Sequence, residues 1–221
     1  MINIAIDGPS GAGKSTIARK AAAVLGFVYI DTGALYRTVG LAAMRAGAGT
    51  SDAEAVEAVL ASKPDIRLRY VDGEQRMFLN GEDVSLAIRT PEASMAASAV
   101  SAIPAVRAYL FDLQKQLARE NNCIMDGRDI GTVVLPDAQI KIFLTATPEA
   151  RAERRALELE EKGMPCDFEQ VLADINQRDY NDTHREIAPL KQAEDAIVLD
   201  TSGNELQQSI DLVLETIKAR L

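Results

Sequence analysis

Two glycines, a lysine and a hydroxyl residue stand at the spacing of a phosphate-wrapping loop, Gly8-Pro9-Ser10-Gly11-Ala12-Gly13-Lys14-Ser15. Glycines let backbone N–H groups turn inward around phosphate oxygens, and the helix that follows adds its positive N-terminal end. In such a loop Lys14 reaches the β- and γ-phosphates and the Ser15 hydroxyl is a ligand for Mg²⁺. The flanks are the ones the loop requires: an apolar strand from Ile2 to Ile6 before it and a helical run from Thr16 to Leu25 after it. Residues 8–16 are therefore expected to bind a nucleoside triphosphate, with Lys14 stabilising the charge of the transferred group.

A second constellation is cationic. The apolar run Cys123-Ile124-Met125 ends in Asp126-Gly127-Arg128-Asp129, where a large ATPase would carry Asp-Glu. An arginine in place of a water-activating glutamate points to a second bound phosphate. No Asn-Lys-x-Asp segment follows a strand, which excludes a guanine-reading switch. Arg151, Arg154 and Arg155 recur at i, i+3 and i+4 and are expected to share one helix face, able to close over ATP phosphates; Glu158 offers Arg154 and Arg155 an alternative in surface pairing. Arg178, Asp182 and Arg185 repeat at i, i+4 and i+7, again one face.

These residues need a scaffold that brings strand ends together. Short β-rich runs near 2–7, 27–31, 123–126, 139–144 and 196–200 alternate with helical patterns, the signature of a parallel sheet covered on both faces. Helix starts are expected at Ser51-Asp52-Ala53-Glu54, read as a capping box, and at Thr90-Pro91, Thr147-Pro148-Glu149 and Asp167-Phe168-Glu169-Gln170, with Pro104 separating two helices. From Asp65 to Ala87 the rhythm breaks: Ile66 to Val71 alternates, Asp72-Gly73 turns, and Met77 to Gly81 forms another strand and turn, together a small antiparallel insertion. Gly163-Met164-Pro165 interrupts a helical pattern and marks the tip of a closing segment.

The 221 residues suit a single domain, and the net charge of −9 argues against a nucleic-acid or anionic-membrane partner, which demands a basic field. Cys123 and Cys166 form neither a disulfide framework nor a metal pattern and fit a reducing cytoplasm. Met1 runs into the first strand with no charged leader or long apolar span, so neither secretion nor membrane insertion is expected. His184 is the only histidine, which excludes histidine-rich zinc sites and disfavours a Ser-His-Asp hydrolase.

Taken together, the motifs resemble those of the bacterial cytidylate kinases, within the nucleoside-monophosphate kinase group. The likeness runs nearly end to end: Asp7 to Lys14, Asp31-Thr32-Gly33-Ala34-Leu35-Tyr36-Arg37, the β insertion followed by Ile88-Arg89-Thr90, Asp126 to Val134, and Arg178-Asp179 with Asp182, Arg185 and Ala188-Pro189-Leu190. It implies an α/β P-loop kinase core over residues 1–221 with a five-stranded parallel sheet, an inserted nucleoside-monophosphate subdomain at 63–90 and a helical lid at 151–165. It implies the reaction ATP + (d)CMP → ADP + (d)CDP with Mg²⁺, in a cytoplasmic monomer.

By the same resemblance, Arg37, Arg128 and Arg185 are ligands of the acceptor phosphate and Tyr36 is a further substrate-binding residue; Thr32, considered with the base-reading residues, stands where the family usually has a serine, whose place its hydroxyl could take. Arg178 and Asp182 approach the acceptor ribose, although an ordinary helix ion pair would explain them too. Ser98, Arg107 and Asp129 read the base: a carboxylate complements the amino group at cytosine N4, and a guanidinium or hydroxyl complements N3 and O2. Ser98 would equally serve as a small packing residue. Arg151 and Arg154 attend ATP, with Lys14, Arg128, Arg154 and Arg185 the catalytic cations. Asp126 either holds the Mg²⁺ shell with Ser15 or braces Arg128 and the loop backbone. The acceptor oxygen is already largely ionised near neutral pH, so no strong general base is needed and His184 is expected to be a surface or packing residue.

Overall fold

In the computed structural model, which describes residues 1–71, 73–161 and 163–221, the expected strands line up as a five-stranded parallel sheet. They are β1 (Asn3–Asp7), β2 (Val28–Asp31), β6 (Cys123–Gly127), β7 (Ile140–Thr145) and β8 (Ile197–Asp200), in the order β2-β6-β1-β7-β8. The centres of the most buried strands are apolar, Ile4-Ala5-Ile6 in β1 and Cys123-Ile124-Met125 in β6, as a sheet covered on both faces requires. Register pairs Asn3 with Cys123 through to Asp7 with Gly127, and Ile4 with Ile140 through to Asp7 with Phe143. The carboxyl ends of β1 and β6 therefore finish side by side, which places the phosphate loop next to the Asp126–Asp129 segment, where open α/β sheets bind their ligands.

The chain divides into two units, residues 1–29 with 121–221 and residues 30–120. In the first, α1 (Lys14–Leu25) and α8 (Leu206–Lys218) bury one face of the sheet, with Ile17, Ala21, Val213 and Ile217 packed against Ile4, Ile6, Ile142 and Leu144. α6 (Pro148–Glu161) and α7 (Phe168–His184) follow β7. Asp167 caps α7 by accepting from Glu169 and Gln170 N–H, and Thr147 accepts from Ala150 N–H at the start of α6. After β6 the chain makes a short π-type segment, Ile130–Val134, which the sequence pattern did not suggest.

The second unit has its own core, built from α2 (Thr32–Arg45), α3 (Ala53–Ala61), α4 (Pro91–Val100), α5 (Pro104–Glu120) and a three-stranded antiparallel sheet of β3 (Ile66–Val71), β4 (Glu74–Leu79) and β5 (Glu82–Asp83). That sheet is the expected antiparallel insertion. Its β4–β5 turn is Asn80-Gly81, both at positive φ, the pair a tight hairpin favours; the expected Asp72-Gly73 turn includes Asp72, which lies outside the described residues. Alanine-rich α4 packs close on α2, and a Cβ at Gly40 would meet the Ala96 Cβ at 2.8 Å. One helix start is corrected: the cap of α3 is Asp52, accepting from Ala55 N–H at 3.2 Å, rather than Ser51. A carboxylate competes well for that position because it also meets the positive helix end.

Candidate functional site

The phosphate loop is held in a shape that only its sequence permits. A side chain at Gly8 would place Cβ 1.9 Å from the Leu144 carbonyl oxygen, and Gly11 and Gly13 adopt φ of 75° and 84°. Lys14 is buried and its Nζ donates to the Pro9 carbonyl at 2.6 Å, folded back across the loop. Burial, reinforced by the Arg128 charge, holds its ammonium well below the usual lysine range. An incoming polyanion would reverse that penalty.

Ser15 Oγ donates to Asp126 Oδ2 at 2.9 Å, and Tyr29 Oη donates to Oδ1 at 3.0 Å. The hydroxyl expected at the metal is thus paired with the carboxylate expected beside it. Two hard oxygen donors at a phosphate loop suit Mg²⁺, which keeps several waters and takes only one or two protein ligands beside substrate phosphates. Asp126 also supports the Arg128 charge electrostatically, in line with the bracing role open for it in the sequence. Tyr29 carried no sequence signal beyond its place in a strand.

Arg128 Nε donates to Asp182 Oδ2 at 2.8 Å, and Arg185 donates to Asp129 Oδ1 at 3.2 Å and to the Ala188 carbonyl at 2.7 Å. Burial works against the charge on Arg128, but Asp182, Asp126 and Asp179 outweigh it and its pKa is raised. Burial likewise pushes Asp182 up, yet Arg128, Arg178 and Arg185 hold its carboxyl below the usual range. Arg128, Arg178, Asp182 and Arg185 therefore belong to one electrostatic cluster, with Lys14 sensing Arg128 and Arg178.

Arg151, Arg154 and Arg155 lie on one helix, α6, at the expected spacing, but their side chains take separate partners. Arg151 is buried and donates to the Ala146 and Ser10 carbonyls, both at 2.9 Å, while pairing with Asp179 at 2.6 Å. Arg154 binds Thr201 through its hydroxyl and carbonyl, and Arg155 turns out to Glu158 at 3.0 Å. The helix period brings the three together, but the long side chains follow their separate partners. Arg151 also lies against the phosphate loop, since a Cβ at Gly11 would meet its Cβ at 3.3 Å. With Asp179 it walls a cavity of about 390 Å³ beside Pro9. His184 is exposed and stacked on Tyr180 with ring centroids 4.1 Å apart.

Asp7, quoted in the first motif without a role, ends β1 and accepts from Ile130 N–H at 2.8 Å and Gly131 N–H at 2.7 Å. Burial pushes its carboxyl up to about 6, against the lowering effect of those two amides. It ties the strand before the phosphate loop to the segment following Asp129.

In the second unit, Arg37 pairs with Asp31 at 2.8 Å, and Asp31 Oδ1 caps α2 by accepting from Ala34 N–H. Thr32 is buried at the first position of α2, with Tyr36 one turn on. The Arg107 guanidinium lies 5.7 Å from the centre of the Tyr36 ring and donates to the Ser101 carbonyl at 3.4 Å; Ser101 in turn donates to the Ser98 carbonyl at 2.8 Å. The residues expected to read a base from this unit are thus joined to one another.

Among the described residues there is no cluster of three or more metal-ligating side chains, and no single helix is long and apolar enough to cross a membrane. Both cysteines are free: Cys123 is buried, and burial pushes its thiol up to about 12, whereas Cys166 is half-buried between α6 and α7.

The family model described as cytidylate kinase matches residues 4–219. A cytidylate kinase of Caldicellulosiruptor bescii is 53% identical over 214 residues, covering 97% of this chain and 94% of that protein. One from Syntrophotalea carbinolica is 48% identical over 219 residues, covering 98% and 92%. Among solved structures, an uncharacterized protein from Eubacterium ventriosum aligns over 100% of both chains with a TM-score of 0.54 at 12% identity, a likeness of fold alone.

Proposed function

The chain belongs to the cytidylate kinase family, and we propose on that premise that it transfers the γ-phosphoryl group of ATP to CMP or dCMP. A phosphate oxygen of the monophosphate attacks the γ-phosphorus as the bond to the β-bridging oxygen breaks, giving ADP and CDP or dCDP. The observation that carries the reading is the phosphate loop backed by the Ser15–Asp126 pair and, beside it, a cluster of arginines. A metal-dependent donor site and cations for a second anion are what phosphoryl transfer requires, because its catalysis is mostly positioning and charge stabilisation.

The roles then divide by chemistry. The loop amides of residues 8–16 and Lys14 receive the donor phosphates, and Lys14 must leave the Pro9 carbonyl to do so. Ser15 and Asp126 would hold Mg²⁺, which when bound neutralises charge on the β- and γ-phosphate oxygens. Arg154 stabilises the transferring group, while Arg151 supports the loop it is bonded to. Arg128 and Arg185 are the acceptor-side cations in the first unit and Arg37 is that of the second, with Thr32 and Tyr36 near it. Arg178 and Asp182 take the ribose; Asp129, Ser98 and Arg107 take the base. Residues 63–90 form the nucleoside-monophosphate subdomain, and 151–165 act as a lid that excludes water.

The reading includes a cytoplasmic monomer with no nucleic-acid or membrane partner, in keeping with two free thiols and a net charge of −9. A coupled ADP-release assay over CMP, dCMP, UMP and AMP tests it. CMP and dCMP should be the strong substrates, and preference for another acceptor would refute the assignment.

A further inference from the structure

Gln75 lies on β4, and its side chain is turned onto the backbone at which α2 begins. Its Oε1 accepts from Asp31 N–H at 2.9 Å, and its Nε2 donates to the Asp31 carbonyl at the longer distance of 3.5 Å. One amide thus meets both polar backbone groups of a single residue, as a neighbouring strand would, where β2 stops. Asp31 is otherwise fully committed: one carboxylate oxygen caps α2 through Ala34 N–H at 2.9 Å and the other holds Arg37 at 2.8 Å. Gly33 leaves room for this arrangement, since a Cβ there would lie 3.1 Å from both Arg37 Nη1 and Asp31 Oδ1. The Arg37 Nε is buried and has no hydrogen-bond partner among the described residues. The guanidinium is therefore gripped on one side by a carboxylate while a further donor stays uncommitted.

We infer that Gln75 is a positioning residue for the acceptor phosphate, fixing Asp31 and, through its carboxylate, the guanidinium of Arg37. The inference rests on the phosphate-binding role proposed for Arg37. It gives the insertion sheet a part in the chemistry, since one β4 side chain sets the aim of a cation on α2. Without Gln75, the Asp31 N–H at the strand-to-helix corner loses its acceptor, and a part-buried donor left unmade favours a shift of the local backbone toward a new partner. The carboxylate that caps α2 and holds Arg37 moves with that backbone. The effect is confined to phosphate affinity, because Gln75 touches no group expected to read a base or bind ATP.

The test is steady-state kinetics with CMP, UMP and ATP for wild type, Gln75→Met, Arg37→Ala and the double variant. Methionine keeps the length and volume of glutamine and removes its polar ends. Gln75→Met should raise KM for CMP about fivefold, leave KM for ATP and the CMP/UMP ratio unchanged, and add less than about twofold on top of Arg37→Ala. An unchanged KM for CMP, a parallel rise in KM for ATP, or full additivity with Arg37→Ala overturns the inference. If Arg37→Ala itself leaves KM for CMP unchanged, the role of Arg37 fails instead, so the two failures are distinguishable. Should Gln75→Met melt at the assay temperature, Gln75→Ala gives the same readout.

Discussion

Asp129 and Arg185 form an ion pair at 3.2 Å with both side chains almost wholly buried. The carboxylate expected to accept from cytosine N4 is thus already paired with a cation, and Asp129→Ala would also take that carboxylate from Arg185. Absolute rates would confuse these two losses, but a ratio between bases separates them. Uracil presents a carbonyl where cytosine has an amino donor, setting two electron-rich oxygens against each other. Asp129→Ala should lower kcat/KM for CMP and narrow the CMP/UMP ratio, whereas Arg37→Ala should weaken both substrates alike. The discrimination lost corresponds to at least about 1–3 kcal/mol. An unchanged ratio in Asp129→Ala would mean that this residue does not read the base.

Lys14→Ala should lower kcat by several orders of magnitude while preserving the fold, because the role proposed for the lysine is to supply charge to the transferring phosphoryl group. Its ammonium donates within the loop itself, to the Pro9 carbonyl, so its loss leaves the sheet and helices untouched. Circular dichroism and turnover measured on the same preparation decide the matter, and near-wild-type turnover would remove the lysine from the mechanism.

Asp126→Asn should raise the Mg²⁺ concentration needed for half-maximal activity by about tenfold, since it takes a negative charge from beside the Ser15 hydroxyl. Tyr29→Phe, which removes only one hydrogen bond to Asp126 Oδ1 and keeps the negative charge, should shift that concentration far less. Titrating Mg²⁺ at fixed ATP gives both values. A titration curve identical to wild type in Asp126→Asn would leave this carboxylate only its bracing role.

Asp7 predicts an unusual pH dependence. Its folded pKa of about 6 lies above the ordinary value of 3.8, so in that interval the folded state binds the proton more tightly than the unfolded chain. The contribution of Asp7 to stability is therefore greatest at low pH and is lost as pH rises toward and through 6. Asp7→Asn abolishes the titration but shifts stability by a constant amount. Urea unfolding should show the wild type losing about 2 kcal/mol relative to Asp7→Asn between about pH 4.5 and 7. A difference that stays flat, or rises, contradicts it.

ATP and CMP bound together should slow hydrogen exchange in the proposed lid, if it closes to shut water away from the transferring group. Arg151 is fastened to Ser10 and Asp179, and Arg154 to Thr201. The new protection should accordingly begin beyond residue 155 and run toward 165, with little change over 148–155. Exchange in 156–165 that ignores both ligands would argue against a lid there.

The sequence carried the frame and the donor loop because those signals are local. Apolar runs bounded by turns placed all five core strands within about one residue, and Thr90-Pro91 and Pro104 set helix starts where proline lacks the N–H that a first turn does not use. Partnerships were hidden because packing creates them. Nothing in the order of residues shows that Arg151 will meet Asp179, which depends on how α6 packs on α7, or that Asp7 will accept from Ile130 and Gly131, which depends on β1 and β6 ending side by side. The Gln75–Asp31 contact is subtler still, since a lone glutamine in a hairpin strand has no motif to announce it. Even the arginine helix face, read correctly as periodic, dispersed once each guanidinium found its own acceptor.

The two cysteines differ in more than burial. With Cys123 sealed in β6 and its thiol pushed up to about 12, a maleimide at neutral pH has one competent target, Cys166, at the junction of α6 and α7. The native chain thus arrives ready for a single fluorophore beside its proposed closing segment, with no cysteine to remove and none to add. Closure could then be timed optically, in the same sample that turns over.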